Sequence, residues 1–313
     1  MSSLGWVRGV NGTLGRLAPR LVAAKMHLAF TTPQHRLPSD WELPVLASAE
    51  RVTLRFGLSA LRWGAGPTVL LMHGWEGRPT QFASLIEALV TAGYTVVALD
   101  GPGHGQSPGR EAHVVLFARA LLEASAELPP LKAVIGHSMG GASVLLATQM
   151  GLRSETLVSI AAPSRVLGVL RGFAHRVGLP PVARSSFIRQ FEREVGMAAS
   201  ALDVSRYELN VPGLIVHAED DLMVPVDEAQ RIHDAWFDSR LLRLKQGGHQ
   251  RVLADPKVIE GVLALLAGSA HPQRTPAAPI CLSFRYTARE LLSTLGHASR
   301  SEHELGSGNA IRH

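Results

Sequence analysis

A serine, with an acid and a histidine downstream of it, combines into one kind of chemistry: Ser138, one of the acids Glu219, Asp220 and Asp221, and His249. Serine is a poor nucleophile at its ordinary pKa. It needs a base, usually an imidazole, held against its hydroxyl, and that imidazole needs a carboxylate to fix its tautomer. Ser138 lies in Gly136-His137-Ser138-Met139-Gly140-Gly141, after the apolar run Leu131–Ile135 and before a small-residue stretch opening Ala142-Ser143-Val144. This pattern predicts a sharp strand-to-helix turn that strains the serine backbone and lifts its oxygen above a sheet. Glycines two before and two after are needed because side chains there would clash across the turn, and Gly141 lets the helix sit close to the sheet. The motif alone occurs by chance; the strand before it and the helix after it make it informative.

An acid and a base follow downstream. Gly213–His217 reads as a strand, continued by Ala218-Glu219-Asp220-Asp221-Leu222-Met223-Val224-Pro225. Acids at the carboxyl end of a parallel strand face the crevice where open α/β sheets place their sites. The next strand, Leu241–Lys245, leads into Gln246-Gly247-Gly248-His249-Gln250, a loop from which an imidazole can swing over the same edge.

The elements that must position these residues are legible as an alternation of short apolar runs and longer amphipathic stretches, the signature of a mostly parallel α/β sheet. Strands are predicted at Arg51–Phe56, Thr68–Met72, Thr95–Leu99, Leu131–Ile135, Thr156–Ile160, Gly213–His217 and Leu241–Lys245. Helices are predicted at Thr80–Ala92, Glu111–Glu127, Ala142–Met150, Asp227–Phe237 and Lys257–Leu266. Between Ala162 and Tyr207 no strand is evident, and apolar residues at helical spacing are interrupted by Gly178-Leu179-Pro180-Pro181. An insertion of this kind between two strands reads as a small helical cap.

With serine, acid and histidine in this order, the chain resembles the α/β-hydrolase fold superfamily, specifically its serine hydrolases of the esterase and lipase type. The resemblance spans about Val52 to Leu266 and implies an α/β fold, a mostly parallel sheet flanked by helices, with a small helical cap. Asp221-Leu222-Met223-Val224-Pro225 matches the family's acid turn in a register that selects Asp221 over Asp220, leaving Asp220 to shape the turn. His249 matches the family's histidine. His73-Gly74-Trp75, after the Thr68–Met72 strand, resembles the oxyanion-hole loop, which implies that the backbone N–H groups of Trp75 and Met139 stabilise a developing oxyanion. Rigid backbone donors in a shielded site contribute about 3–4 kcal/mol each. Asp100-Gly101-Pro102-Gly103-His104-Gly105-Gln106-Ser107 resembles a structural turn near the site. His73 is expected to brace the oxyanion loop, and His137 to pack or bond locally. His104 and His217 have the wrong positions for the base, Glu76 is expected in water or against Arg78, and Asp227 reads as an early helix residue.

The resemblance implies two-step acyl transfer on a small-molecule ester or thioester through an acyl-enzyme, with no metal and no organic cofactor. Ser138 argues against the aspartate-nucleophile dehalogenases and epoxide hydrolases of the same fold. Cofactor-free perhydrolases or haloperoxidases and C–C bond hydrolases share the triad and stay open. A reading of another class is a non-catalytic, hydrolase-like binding protein. The cap arginines Arg165, Arg171, Arg176, Arg184, Arg189, Arg193 and Arg206 read first as a solvated helical surface and second as a site for anionic acyl carriers or phospholipid.

Composition excludes other classes. Hydrophobic residues make up 46% and charged ones 18%, too apolar for a disordered chain, and no run approaches the ~18 residues of a membrane span. The formal charge is +5, and residues 1–39 alone hold Arg8, Arg16, Arg20, Lys25 and Arg36 without an acid, so the rest sums to zero. A nucleic-acid partner is not expected, because such a protein carries its basic stripe on the folded body. The division expected is a basic, helical N-terminal arm over 1–39, a hydrolase core over 40–269 including the cap at 162–207, and a low-complexity, partly disordered tail over 270–313. The arm reads first as helix packed on the body with its arginines in water, and second as a basic amphipathic segment in weak contact with membrane lipid. It makes a poor secretory signal, since Arg20 and Lys25 interrupt its apolar stretch. A single cysteine, Cys281, favours a reducing compartment, so the expected location is cytoplasmic, peripheral to membrane on the second reading of the arm.

Overall fold

Thr68–Met72 is buried at every position, as a strand must be when helices cover both faces of its sheet. In the computed structural model, which describes residues 3–35 and 37–268, this segment is the third of eight strands. They are β1 (Glu50–Thr53), β2 (Ser59–Trp63), β3 (Thr68–Met72), β4 (Thr95–Leu99), β5 (Leu131–His137), β6 (Thr156–Ile160), β7 (Gly213–Ala218) and β8 (Ser239–Leu244). The helices are α1 (Ser3–Leu17), α2 (Pro19–Thr31), α3 (Leu43–Ala47), α4 (Ala83–Thr91), α5 (Val114–Ser125), α6 (Met139–Gln149), α7 (Val166–Arg176), α8 (Pro181–Val195), α9 (Asp227–Ala235), α10 (Gly248–Arg251) and α11 (Pro256–Leu266).

The strands lie in the order β1-β2-β4-β3-β5-β6-β7-β8. β2 runs antiparallel to β1 and β4, and all pairs from β4 through β8 are parallel. Alternate residues divide the core between two faces. Leu70, Met72, Val97 and Val134 pack beneath α5, α6 and the cap, whereas Val69, Leu71, Val96 and Ile135 pack against α4 and α11.

One predicted strand is shorter than expected and one was missed. The Arg51–Phe56 run ends at Thr53, because Arg55–Gly57 forms a turn with Phe56 and Gly57 at φ 56° and 76°. That turn folds the chain back into β2, which pairs from Glu50↔Arg62 to Thr53↔Ser59.

Sheet order creates the crevice. β3 lies between β4 and β5, and the register aligns Met72 with Gly136, so the chain after β3 and the chain after β5 leave the sheet side by side. The loop beginning at His73 thereby lies against the turn carrying Ser138. Above this edge stand α7 and α8. The N-terminal helices join that layer: α2 packs along α8, and α1 packs on both α2 and α8. Expectations for the tail, including a helix over Tyr286–Leu295 and the state of Cys281, lie outside the described residues.

Candidate active site

Ser138 stands between β5 and α6 with φ 55° and ψ −121°, a backbone conformation that L-residues rarely adopt. Its N–H donates to the Ile160 carbonyl at 2.8 Å, which ties the turn to β6. The glycines around it are required by contact. A Cβ on Gly136 would collide with the Gly140 carbonyl, one on Gly140 with the carbonyls of Met72 and His73, and one on Gly141 with the Ala162 Cβ. The strained turn is therefore held by close backbone approach on three sides.

His249 and Asp221 arrive from β8 and β7. Ser138 Oγ lies 2.9 Å from His249 Nε2, and His249 Nδ1 lies 2.7 Å from Asp221 Oδ2. These distances fit a relay in which the serine O–H donates to Nε2 and the Nδ1–H donates to the carboxylate. The second carboxylate oxygen of Asp221 accepts from the N–H groups of Met223 and Val224 at 2.8 and 2.9 Å. Burial alone would raise the Asp221 carboxyl, but hydrogen bonds from His217, His249 and the Val224 N–H outweigh it and hold the group well below the usual carboxylate range. Asp220 points elsewhere: its Oδ1 accepts the Gly248 N–H at 2.7 Å and shapes the loop that carries His249.

The loop after β3 is braced by two neutral histidines. His73 donates from Nδ1 to the Gly74 carbonyl at 2.7 Å and accepts the Gly101 N–H on Nε2 at 2.9 Å. His104 donates from Nδ1 to the Pro102 carbonyl at 3.0 Å and accepts the Glu76 N–H on Nε2 at 3.0 Å. That second bond holds Glu76 in a left-handed conformation with φ 52°. Gly74 approaches so closely that an added Cβ would lie 2.9 Å from the Ser138 Cβ. The backbone N–H groups of Trp75 and Met139 have no acceptor among the described residues. Both side chains are half-buried against the same core face.

Four contributions were not identified from the sequence. His137 reaches across the sheet edge to donate from Nε2 to the His249 carbonyl at 2.7 Å, so it anchors the base's own loop instead of bonding locally. His217, fully buried, donates from Nε2 to the Val224 carbonyl at 2.9 Å and lies 3.4 Å from Asp221 Oδ2, behind the acid. His104 fixes the oxyanion-type loop, as described above. Phe30 of α2 stacks on Trp75 at 6.4 Å between ring centroids and packs on Phe173 and Phe187 of the cap. Of the two readings for Glu76, in water or against Arg78, the pairing with Arg78 is not formed. Arg78 instead pairs with the buried Glu42, which also accepts from Thr80, while Glu76 accepts the Gln34 N–H at 3.1 Å. The cap arginines stand mostly in water, and Arg165 is held by Glu228 at 3.1 Å.

Burial pushes His73 down to about 3, with His104 adding repulsion, and pushes His137 down to about 4, with His249 adding repulsion. Both are neutral in the folded chain. A histidine whose folded value lies below its ordinary 6.5 contributes stability above that value and loses it as pH falls toward the folded one. The lowered Asp221 acts in the same direction further down. Asp100, raised by its burial, opposes them in part. The melting temperature is therefore expected to hold from pH 8 to 7 and to fall progressively from pH 6.5 to 4. A tenfold difference in proton affinity between the folded and unfolded chain is worth about 1.4 kcal/mol, and His104, lowered by its burial, adds to the effect of the two histidines. Calorimetry across that range checks this; a flat melting temperature down to pH 4 contradicts it.

Comparison with known proteins bears on the architecture. Residues 65–168 match the family described as serine aminopeptidase, S33. The mouse α/β hydrolase domain-containing protein 10 superposes with a TM-score of 0.55 at 16% identity, covering 71% of this chain and 98% of that one. The chain has the α/β-hydrolase fold. Among curated proteins, a dihydrolipoyllysine-residue acetyltransferase component of the acetoin cleaving system from Cupriavidus necator is 34% identical over 151 residues, 46% of this chain and 35% of that protein. A pimeloyl-acyl-carrier-protein methyl ester esterase from Stenotrophomonas maltophilia is 30% identical over 159 residues, 51% of this chain and 57% of that protein. The chain thus spans between a third and three-fifths of the length of these curated relatives.

Proposed function

We propose that this α/β-hydrolase cleaves carboxylic esters or thioesters through an acyl-enzyme on Ser138. The observation that carries the reading is the relay of Ser138, His249 and Asp221 at 2.9 and 2.7 Å beside two backbone N–H groups without acceptors among the described residues. His249 takes the serine proton as Oγ attacks the carbonyl carbon. The negative charge then develops on the carbonyl oxygen, where the N–H groups of Trp75 and Met139 stabilise it. His249 returns the proton to the leaving alkoxide or thiolate, water activated by the same imidazole attacks the acyl carbon, and Ser138 is released. Asp221 stays ionised throughout, keeps Nδ1 protonated and stabilises the imidazolium.

The half-buried rings of Trp75, Phe30 and Phe173, backed by the buried Phe187, support an apolar acyl group, because an aromatic surface beside the loop after β3 does not solvate a charged one. A relative named as a methyl ester esterase of a carrier-bound acyl chain agrees with this class of substrate. Hydrolysis of esters and thioesters of graded chain length tests the reading. The expected result is turnover of short activated esters and of apolar acyl groups in preference to charged ones; no turnover of any member of the series rejects it.

Gly74→Ala supplies a sharper prediction. Its Cβ would press on Ser138 Cβ and, at 3.2 Å, on the His137 carbonyl, displacing the donor loop by a fraction of an ångström. Geometry of that precision matters at a reacting centre, so kcat is expected to fall by about tenfold to a hundredfold. A moderate fall in melting temperature is expected beside it, from the contact of the new Cβ with Ser138 Cβ and the His137 carbonyl and with no left-handed strain added. Steady-state kinetics with a melting curve on the same preparation separates the two effects.

A further inference from the structure

The acyl chemistry leaves the outer face of the N-terminal helices without a role. We propose that this face docks the protein on an anionic lipid bilayer. The inner face of α2 is committed to the fold, with Ala23, Met26, His27 and Thr31 buried. α1 is fixed as well: Asn11 Nδ2 donates to the Val177 carbonyl at 2.8 Å, and Gly15 sits against Pro180 at the start of α8. The opposite face is therefore presented in a fixed orientation.

That face is apolar and basic at once. Trp6 is 65% exposed, Leu17 78%, Leu21 74% and Leu28 57%. Trp6 and Leu17 lie about three helical turns apart on one side of α1, and Leu21 and Leu28 about two turns apart on one side of α2. Scattered exposed leucines are ordinary in soluble proteins. Here, however, six of the fourteen large exposed hydrophobic side chains among the described residues fall within residues 4–28. Arg8, Arg16, Arg20 and Lys25 are interleaved with them, all exposed, and no acid occurs before Asp40.

Charge decides among the occupants such a face could have. Residues 269–313 carry five arginines against three glutamates, so that segment is itself basic. The same face of a second copy is equally basic. A surface of anionic headgroups over acyl chains complements both features, taking the leucines and the indole at its boundary and the guanidinium groups at its phosphates. No helix among the described residues is long and apolar enough to cross a membrane, so the helices lie on the bilayer. Phe30 follows Leu28 on the same helix and stacks on Trp75, so the docked helix also touches the loop after β3.

Sedimentation of the full chain with vesicles tests this without reference to catalysis. The vesicles are phosphatidylcholine alone and phosphatidylcholine with about one-third phosphatidylglycerol. The expected result is at least tenfold tighter binding to the anionic vesicles, with release at about 1 M NaCl, where charges are screened beyond about 3 Å. The double variant Leu17→Glu/Leu21→Glu should lose at least tenfold in binding while keeping its melting temperature and its hydrolysis of a soluble ester. Arg16→Gln/Arg20→Gln/Lys25→Gln should lose the preference for anionic vesicles. Absence of binding to the anionic vesicles, or equal binding by the double variant, overturns the proposal. A vesicle-free dimer that the double variant converts to monomer overturns it too, because the face is then covered by a second copy.

Discussion

Alanine at position 138 is expected to lower kcat on a short activated ester by about 10⁴- to 10⁶-fold while leaving the fold intact. The size follows from the loss of the atom placed to form a bond to substrate in the relay: Oγ, 2.9 Å from His249 Nε2. What remains is the donor loop, and backbone donors with binding alone sustain a residual rate well above that in water. The fold should tolerate the change because the unusual φ of 55° is imposed by the backbone, through the Ser138–Ile160 hydrogen bond and the packing of Gly136, Gly140 and Gly141. Alanine keeps the Cβ and meets the same strain. Kinetics beside a melting curve checks this, and a variant that retains more than a tenth of wild-type kcat on a homogeneous preparation contradicts it.

The second large effect is expected from Asp221→Asn, about 10⁴-fold in kcat with little change in KM. Asp221 is buried behind the imidazole, 2.7 Å from Nδ1, and does not reach the surface where substrate binds. Asparagine can keep an acceptor for the N–H groups of Met223 and Val224, which fixes the side-chain orientation. It then turns its NH₂ toward His249, so the imidazole must accept there and carry its proton on Nε2. In that tautomer the ring cannot take the serine proton. The neighbouring Asp220→Asn is a built-in control. Asparagine there still accepts the Gly248 N–H, and Asp220 makes no bond to the His249 ring, so kcat should fall less than tenfold. Comparable losses from the two variants would remove the assignment of roles to these adjacent carboxylates.

Much of the sheet was legible because parallel strands buried on both faces read as unbroken apolar runs. Thr68–Met72, Thr95–Leu99 and Thr156–Ile160 coincide with β3, β4 and β6. β2 was not legible. It is short, carries an arginine, and owes its existence to the turn at Phe56, whose positive φ no propensity announces. The serine, acid and histidine could be proposed from the sequence because each occupies the end of a strand, and strand ends in a parallel sheet converge on one edge. The supporting histidines could not. His104 and His137 act through partners 28 and 112 residues away, bonds that exist only once loops from different strands meet, and His217 acts on Val224 only once the loop after β7 folds back on its strand. Phe30 was hidden for the same reason: its partners are Trp75 on the loop after β3 and the cap rings Phe173 and Phe187, more than 140 residues along the chain. The N-terminal segment, legible only as a basic arm, therefore packs through Phe30 against Trp75 and the helices α7 and α8.

The central assertion is that Ser138 is the group that forms a covalent bond to substrate. It is tested most directly by reacting the full chain with a fluorophosphonate and mapping the adduct by mass spectrometry. The account predicts one phosphonyl group per chain, on the peptide containing Gly136-His137-Ser138-Met139-Gly140, and none when His249 is replaced by alanine over the same interval. A chain that takes up no probe while folded, or that carries the adduct on another serine, contradicts it.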